Sequence, residues 1–482
     1  MKNPTNDLLL GRRSIEELEE CFLLEDWKWD KKLKVWFFKF SVENKNSNNI
    51  PKFTNWYLTA DDDYPNGKIN IYPSHENSIR DTYFHQSNNG TISENNLWRN
   101  GKLCLDLQGV LEGFIQKTEP TLPYQRMLWH LLRTIEWIKE ANSDTLIKKG
   151  EFMEFPHFFL NHTFKVVFSE DLDSGVIWNN IKNNIGYADI CLMENNVFLI
   201  KKFFVIDGKV VNIYKWGKDI EKQLNNKESE KALWIKIPKP LVLNKWQAPN
   251  TWGDLKKVFK SQEMNLLELI EKLSSKIRDK KQHFLLIGFP FQERLGDDKY
   301  VYHWVPLLLS TLSTDGEYAN GFRKNEIGWF EMDKKTKYNN ELPLNWVESE
   351  NWSSYSILSR GQYNKSVREK KYIIIGAGTL SAYLSEQLVR NGIEDITIID
   401  DDIYKIGNNC RHTLNFEDVG KFKAESLANR LNKTNPHAKV KNINLKLDIE
   451  NIELLMKYDI IIDCSANDEV ILNISNYKLL FT

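Results

Sequence analysis

A chain of 482 residues has room for roughly two to four domains, and its 41% hydrophobic and 12% aromatic content supplies real cores and excludes general disorder. A formal net charge of −1 argues against nucleic acid or an anionic membrane as the main partner. No stretch has the apolar length of a membrane span, the polar first residues carry no secretory pattern, and five scattered cysteines form no CxxC pair. The expected setting is therefore a reducing cytoplasm.

Residues 1–150 read as a first α+β unit. Ser14 can cap a helix over 14–23, with Glu16, Glu17, Glu19 and Glu20 favouring its first turns and Cys21 on its apolar side. Runs at 35–42, 56–58 and 68–72 are rich in aromatic and branched residues and read as strands, the last following a turn at 61–67. Residues 74–100 are polar and loop-like, and Gly101-Lys102-Leu103-Cys104-Leu105-Asp106 follows. Leu, Trp and Ile at helical spacing predict an amphipathic helix over 122–141. The middle, 151–365, mixes strands at 283–290 and 302–309 with a helix over 266–277. It contains no phosphate loop, metal cluster or triad spacing, and reads as a structural or docking domain. Cys191 lies in a strand-like run and reads as core, and the Ser/Asn-rich 348–371 reads as a linker. Residues 366–482 alternate strands at 372–375, 395–399, 439–443 and 458–463 with helices at 380–391, 421–431 and about 450–456. That alternation predicts parallel strands with right-handed crossovers.

In this last unit Gly376-Ala377-Gly378-Thr379-Leu380-Ser381 joins the first strand to the first helix. Gly376 permits a tight turn, Gly378 lets backbone amides approach a phosphate, and Ser381 is small enough for close helix–strand packing. Asp400, at the end of the second strand, can bind ribose hydroxyls. Up to here an NAD-binding domain fits equally well. The series then continues with Asp402, Asn408 and Arg411, Gly420 and Lys423, Asn435-Pro436, and Asp463-Cys464-Ser465. In that order and spacing the segment resembles the ThiF/MoeB superfamily, the adenylating domains that include ubiquitin-activating enzymes. The resemblance implies an incomplete Rossmann-like ThiF adenylation domain that binds ATP through Gly376, Gly378, Asp400, Asp402 and Asn408, and it implies a homodimer. Arg411 and Lys423 would neutralise the triphosphate as pyrophosphate leaves, and Mg2+ would bridge the phosphates through a carboxylate. Ala466 stands where the family has its magnesium aspartate, which leaves Asp468 as the metal ligand. The family continues beyond the point reached at Thr482, so a truncated carboxyl terminus, lacking the activating cysteine, is expected. Cys464 reads as core and Cys410 as a residue beside the nucleotide.

The amino-terminal order of helix, antiparallel strands, Tyr-Pro turn, long polar loop, Gly-Lys-Leu-Cys-Leu-Asp and final helix resembles the ubiquitin-conjugating fold. That resemblance implies that Cys104 accepts an acyl group as a thioester. The family's His-Pro-Asn motif is absent, and His85, Asn88 and Asn89 lie farther back. The whole order resembles the bacterial fused activating–conjugating enzymes of antiphage operons, those of CBASS systems among them. It implies that the carboxyl-terminal glycine of a ubiquitin-like or cGAS-like nucleotidyltransferase partner is adenylated, passed to Cys104 and ligated to a target amine, in antiviral defence. Fusing both modules raises their effective concentration. Two other readings remain open: a sulfur-carrier-protein adenylyltransferase with Cys104 structural, and a truncated non-catalytic relative that holds its partner.

Overall fold

The computed structural model describes residues 2–105, 119–314 and 321–480; Asp106 of the Cys104 segment lies outside them. Helix α1 (Asn6–Arg13) is capped by Thr5, whose hydroxyl accepts from the Leu8 amide, and closes on Arg12 and Arg13, where a helix end favours cations. The helix expected over 14–23 is not formed: Ser14–Glu17 is a single 3-10 turn, and strand β1 (Cys21–Asp30) starts at Cys21. Along β1, Cys21 is buried and Leu23 half-buried while Phe22 and Leu24 are exposed, a period-2 pattern that outweighs the helix preference of the glutamates. Strands β2 (Val35–Glu43), β3 (Phe53–Ala60) and β4 (Ile69–Pro73) complete an antiparallel sheet in sequence order. Helix α2 (Pro123–Asn142) begins on a proline, where no helical N–H is lost. Its Met127, Leu131, Ile135 and Ile138 fall on one face and share a core with Phe38, Phe40, Trp56 and Leu58.

The middle unit is a barrel with helical cladding. Its elements are β5 (Leu160–Phe168), α3 (Leu172–Asn180), β6 (Ile185–Leu192), β7 (Val197–Val205), β8 (Val210–Ile213), α4 (Lys218–Asn225), β9 (Glu230–Lys236), α5 (Trp252–Ser261), α6 (Leu266–Ser274), β10 (Phe284–Phe291), β11 (Val301–Leu308), α7 (Glu326–Thr336) and β12 (Trp346–Asn351). The strands run β5-β12-β11-β10-β9-β6-β7, and β5 pairs with residues 197–199 of β7 to close the ring. Beside that closure, β8 takes residues 202–204 of the same β7 edge. Both faces of the wall are buried along most of β6, β9, β10 and β11, which is why β10 and β11 read as continuous apolar runs, while β5 and β8 are largely exposed or half-buried. Ala232, Trp234, Leu286, Tyr302 and Trp304 join one cluster with Trp178 of α3. The alternate residues Leu233, Ile235, Leu285, Ile287 and Val305 join a second cluster with Leu255 and Phe259 of α5 and Ile270 of α6. The polar run from 348, expected as linker, opens instead with the end of β12: Glu348 to Asn351 pair with Lys165 to Phe168.

At one end of the barrel sits a fully buried acid. Glu170 Oε1 accepts from the indoles of Trp178 (2.9 Å) and Trp304 (3.0 Å) and from the Tyr214 hydroxyl. Burial lifts its carboxyl from 4.5 to about 7. A raised folded value favours the neutral acid, so this group's stabilisation is complete below about pH 4.5 and is lost as pH rises through about 7. Glu170→Gln keeps an oxygen for the three donors and removes the titration. Its unfolding free energy, from denaturant titration followed by tryptophan fluorescence, is expected to exceed that of the parent by a margin that grows from about pH 5 to about pH 8 and reaches on the order of 3 kcal/mol. A margin independent of pH would contradict this.

The carboxyl-terminal unit begins with short helical turns α8 (Ser354–Ile357) and α9 (Lys365–Arg368). It then alternates β13 (Tyr372–Ile375), α10 (Thr379–Arg390), β14 (Ile396–Ile399), α11 (Lys423–Asn432), β15 (Lys441–Ile443), β16 (Ile460–Asp463) and α12 (Asp468–Leu480). All its pairings are parallel, in the order β15-β14-β13-β16. The chain leaves β13 for one side and later returns to the other, so a crevice opens at the carboxyl ends of the strands where the order reverses. The unit docks on the barrel backbone to backbone: the Gly217 amide donates to Pro436 O (2.6 Å) and the Lys218 amide to Ala438 O (2.9 Å). A Cβ on Gly217 would lie 2.5 Å from Ala438 O, so only glycine permits this approach. Among the described residues no helix is long and apolar enough to cross a membrane.

Candidate active site

The glycine-rich turn lies at the mouth of that crevice. Gly376 has φ +89°, and a side chain there would meet Ser465 Cα and Cys464 O at 3.0 Å, so backbone conformation and space both demand glycine. Gly378 is the N-cap of α10, and the space beside its Cα is open. Amides at the head of a twelve-residue helix, with open space before them, form a place for phosphate oxygens. Ser381 is fully buried and its hydroxyl returns to Gly378 O (3.0 Å), so it fills the small-residue position.

Asp400 braces this turn. Its Oδ2 accepts from the Ala377 amide at 2.6 Å and its Oδ1 from the Asp402 amide at 2.7 Å. Burial lifts its carboxyl above the ordinary aspartate range, against the pull of those two amides. Lys423, at the head of α11, donates its ammonium to Asp402 (2.7 Å) and its amide to Asp402 O (2.9 Å). Sequence-distant Asp400, Asp402, Lys423 and the turn are thus brought together. Arg411 is exposed. Asn408 Oδ1 accepts from the Lys405 amide (3.0 Å) and caps the 3-10 turn Ile406–Asn408. Asp468 is exposed at the start of α12. Among the described residues the one group of three possible metal ligands is Asp400, Asp401 and Asp402, which does not include Asp468. Cys410 is exposed and Cys464 half-buried.

His412 is a functional candidate that the motif reading passed over, although it directly follows Arg411. It is buried, its Nε2 lies 2.9 Å from Ala377 O, and its Nδ1 accepts from the Leu414 amide at 3.1 Å. Because Nδ1 is the acceptor, the proton sits on Nε2, and burial holds the ring neutral by lowering its pKa. His412 and Asp400 therefore hold the two peptide units that flank Ala377, at its carbonyl and its amide.

The second cysteine site lies in the amino-terminal unit. The Leu103 amide donates to Ile71 O (2.9 Å) and the Cys104 amide to His85 O (2.8 Å), which places half-buried Cys104 beside the end of β4. His85, distant in sequence, is thus adjacent in space. Asn88 Nδ2 donates to His157 O (3.0 Å) and Asn250 Oδ1 (3.2 Å), and Asn89 Nδ2 to Ile79 O and Asp81 O (both 3.1 Å). Both amides are committed to protein oxygens.

Residues 354–477 match the ThiF family, and residues 144–352 match the Cap2 central linker domain. A molybdopterin-synthase adenylyltransferase of Haemophilus influenzae is 29% identical over 29% of this chain and 53% of its own length. A crystal structure of E. coli MccB with ATP is 27% identical over 23% of this chain and 33% of that chain, with a TM-score of 0.22, an overlap too small to bear on the fold. The ATP-dependent ubiquitin transferase-like protein Cap2 of Enterobacter hormaechei is 30% identical over 92% of this chain and 76% of its own length. The chain belongs to this family of ATP-dependent ubiquitin transferase-like Cap2 proteins, and joins its central linker domain to a ThiF-type adenylation domain.

Proposed function

We propose that this chain uses ATP to adenylate the carboxyl-terminal glycine of a protein partner, a ubiquitin-like protein or a cGAS-like nucleotidyltransferase, and that the acyl group then passes to Cys104 and on to a target amine. The observation that carries the first half is the cluster of Gly378, Asp400 and Lys423 around one open helix N-terminus. ATP supplies the electrophilic α-phosphorus and the pyrophosphate leaving group. The chain's own part is to seat the phosphates on the α10 amides, hold the turn through Asp400, and place Lys423 and Arg411 where negative charge grows. Lys423 is already oriented by Asp402, so little reorganisation is needed when a phosphate replaces that carboxylate as its partner. Asp468, exposed at the start of α12, is the carboxylate that would hold a Mg2+ ion, which would supply charge neutralisation for the phosphates.

In the second half the antiparallel sheet, flanking helices and Cys104 segment act as a ubiquitin-conjugating-like module. The proposed setting is a cytoplasmic, homodimeric enzyme of antiviral defence. The test is ATP–pyrophosphate exchange with candidate partners ending in glycine. Exchange should appear with the free carboxylate and vanish when that carboxylate is amidated; equal rates with both would sink the proposal. The match to a molybdopterin-synthase adenylyltransferase favours one rival, sulfur-carrier activation. That reading expects exchange with a sulfur carrier and no adduct on Cys104.

A further inference from the structure

Cys104 is held by a chain of contacts that starts in a different unit. Glu154 belongs to the segment that enters the barrel. There the Met153 amide donates to Glu293 O (2.9 Å), the Trp246 indole donates to Glu154 O (3.1 Å), and Phe155 stacks on Phe289. From this anchored backbone the Glu154 side chain reaches into the amino-terminal unit and takes His85 twice. One oxygen accepts from the His85 amide at 2.7 Å, and the other lies 2.6 Å from its Nδ1. The remaining ring nitrogen, Nε2, lies 3.1 Å from Leu146 O.

His85 has φ +56°, a left-handed conformation that costs a non-glycine residue on the order of 1 kcal/mol and persists only where the surroundings impose it. The imposed turn directs the His85 carbonyl to the Cys104 amide (2.8 Å). The adjoining residues zip the two segments together: the Ser87 amide donates to Lys102 O (2.8 Å), and Gln86 Nε2 donates to Gly101 O (3.1 Å). The Phe84 ring lies 4.4 Å from Trp246 of the middle unit, so the same loop is also seated by packing. The hydrogen bond to Glu154 raises the His85 pKa, and against the opposing effect of burial the pairing lowers that of Glu154. Glu151 and His157 are the other titratable groups acting on this pair.

We propose that Glu154 is a positioning residue for Cys104: by clamping both the amide and the ring of His85 it fixes the strained turn whose carbonyl holds the Cys104 amide, which makes the middle unit part of the thiol site. This rests on the thioester role proposed for Cys104. A group-transfer thiol must present its sulfur at a defined angle to an incoming thioester, and small misplacements of such groups cost large factors in rate.

The test is residue-resolved iodoacetamide labelling of the full chain, read by mass spectrometry, with exposed Cys410 as reference and buried Cys21 and Cys191 as controls. In Glu154→Ala, Cys104 is expected to label about tenfold faster, because local opening of its segment becomes easier. Cys21 and Cys191 should stay protected and Cys410 unchanged. Glu154→Gln, which keeps an oxygen for the His85 amide, should return Cys104 labelling to within about twofold of the parent. Discharge of a Cys104 adduct to free lysine should fall in the alanine variant and recover in the glutamine one. Unchanged Cys104 labelling in Glu154→Ala would overturn the clamp whatever adducts form. Deprotection of Cys21 and Cys191 together with Cys104 would overturn it too, as a general loss of structure. A parent chain that forms no Cys104 adduct would instead sink the transfer role while leaving the labelling result standing.

Discussion

Cys104→Ala is expected to abolish a thiol-sensitive adduct between this chain and its activated partner, while Cys21→Ala, Cys191→Ala and Cys410→Ala each retain it. The expectation rests on which described cysteines can present a thiolate. Cys21 is buried at the first position of β1, and burial pushes its thiol up to about 12. At neutral pH such a thiol is ionised on the order of one part in 10⁵. Cys191 is fully buried in β6, inside the barrel cluster. Cys464 is half-buried, and its pKa is raised by the same desolvation and by Asp463. Two thiols remain, and they are 306 residues apart in sequence: Cys104 beside β4, and Cys410 in the exposed segment after β14. An adduct that follows Cys410 instead of Cys104 would place the thioester in the adenylating unit and remove the conjugating role from the amino-terminal one. Non-reducing gels run before and after thiol treatment give the answer for each variant.

The second large effect is expected from Asp400→Ala, which should lower ATP–pyrophosphate exchange by about a hundredfold or more. The substitution removes both acceptors that brace the turn, the bonds to the Ala377 and Asp402 amides. Hydrogen bonds to a charged group contribute about 1.5–3 kcal/mol each, and here they hold the loop that must receive the phosphates. Asp400→Asn should be nearly as damaging. An amide offers one oxygen, and its NH2 would face a backbone N–H, so one of the two braces is replaced by a clash of donors. The exchange assay on purified variants, with thermal melting as a check on folding, reads this directly. Parent-like exchange in Asp400→Ala would remove the nucleotide from this crevice.

The adenylating unit was legible because its information is local. Gly376, Gly378, Asp400, Arg411 and Lys423 follow the strand–turn–helix order, and each strand between them is a short, almost wholly apolar run. The parallel sheet then follows from the alternation of elements. The first twenty residues were harder. Four glutamates and a serine satisfy every local helix preference, yet β2 offers a pairing edge to the run from Cys21, and that long-range ladder prevails.

By itself the sequence determined the order of strands and helices in the carboxyl-terminal unit and the position of its glycine-rich turn, since hydrophobic period and turn glycines act between near neighbours. The tertiary structure alone decided what lies beside what. The barrel closes because β5 meets β7 across about thirty residues, a pairing no local pattern encodes. His412 reaches Ala377 because the segment after β14 folds back over the glycine-rich turn, while Glu154 reaches His85 and Gly217 admits Ala438 only because separately built units are packed together. Contacts of this kind depend on side-chain direction and distance in space, which composition and spacing do not carry.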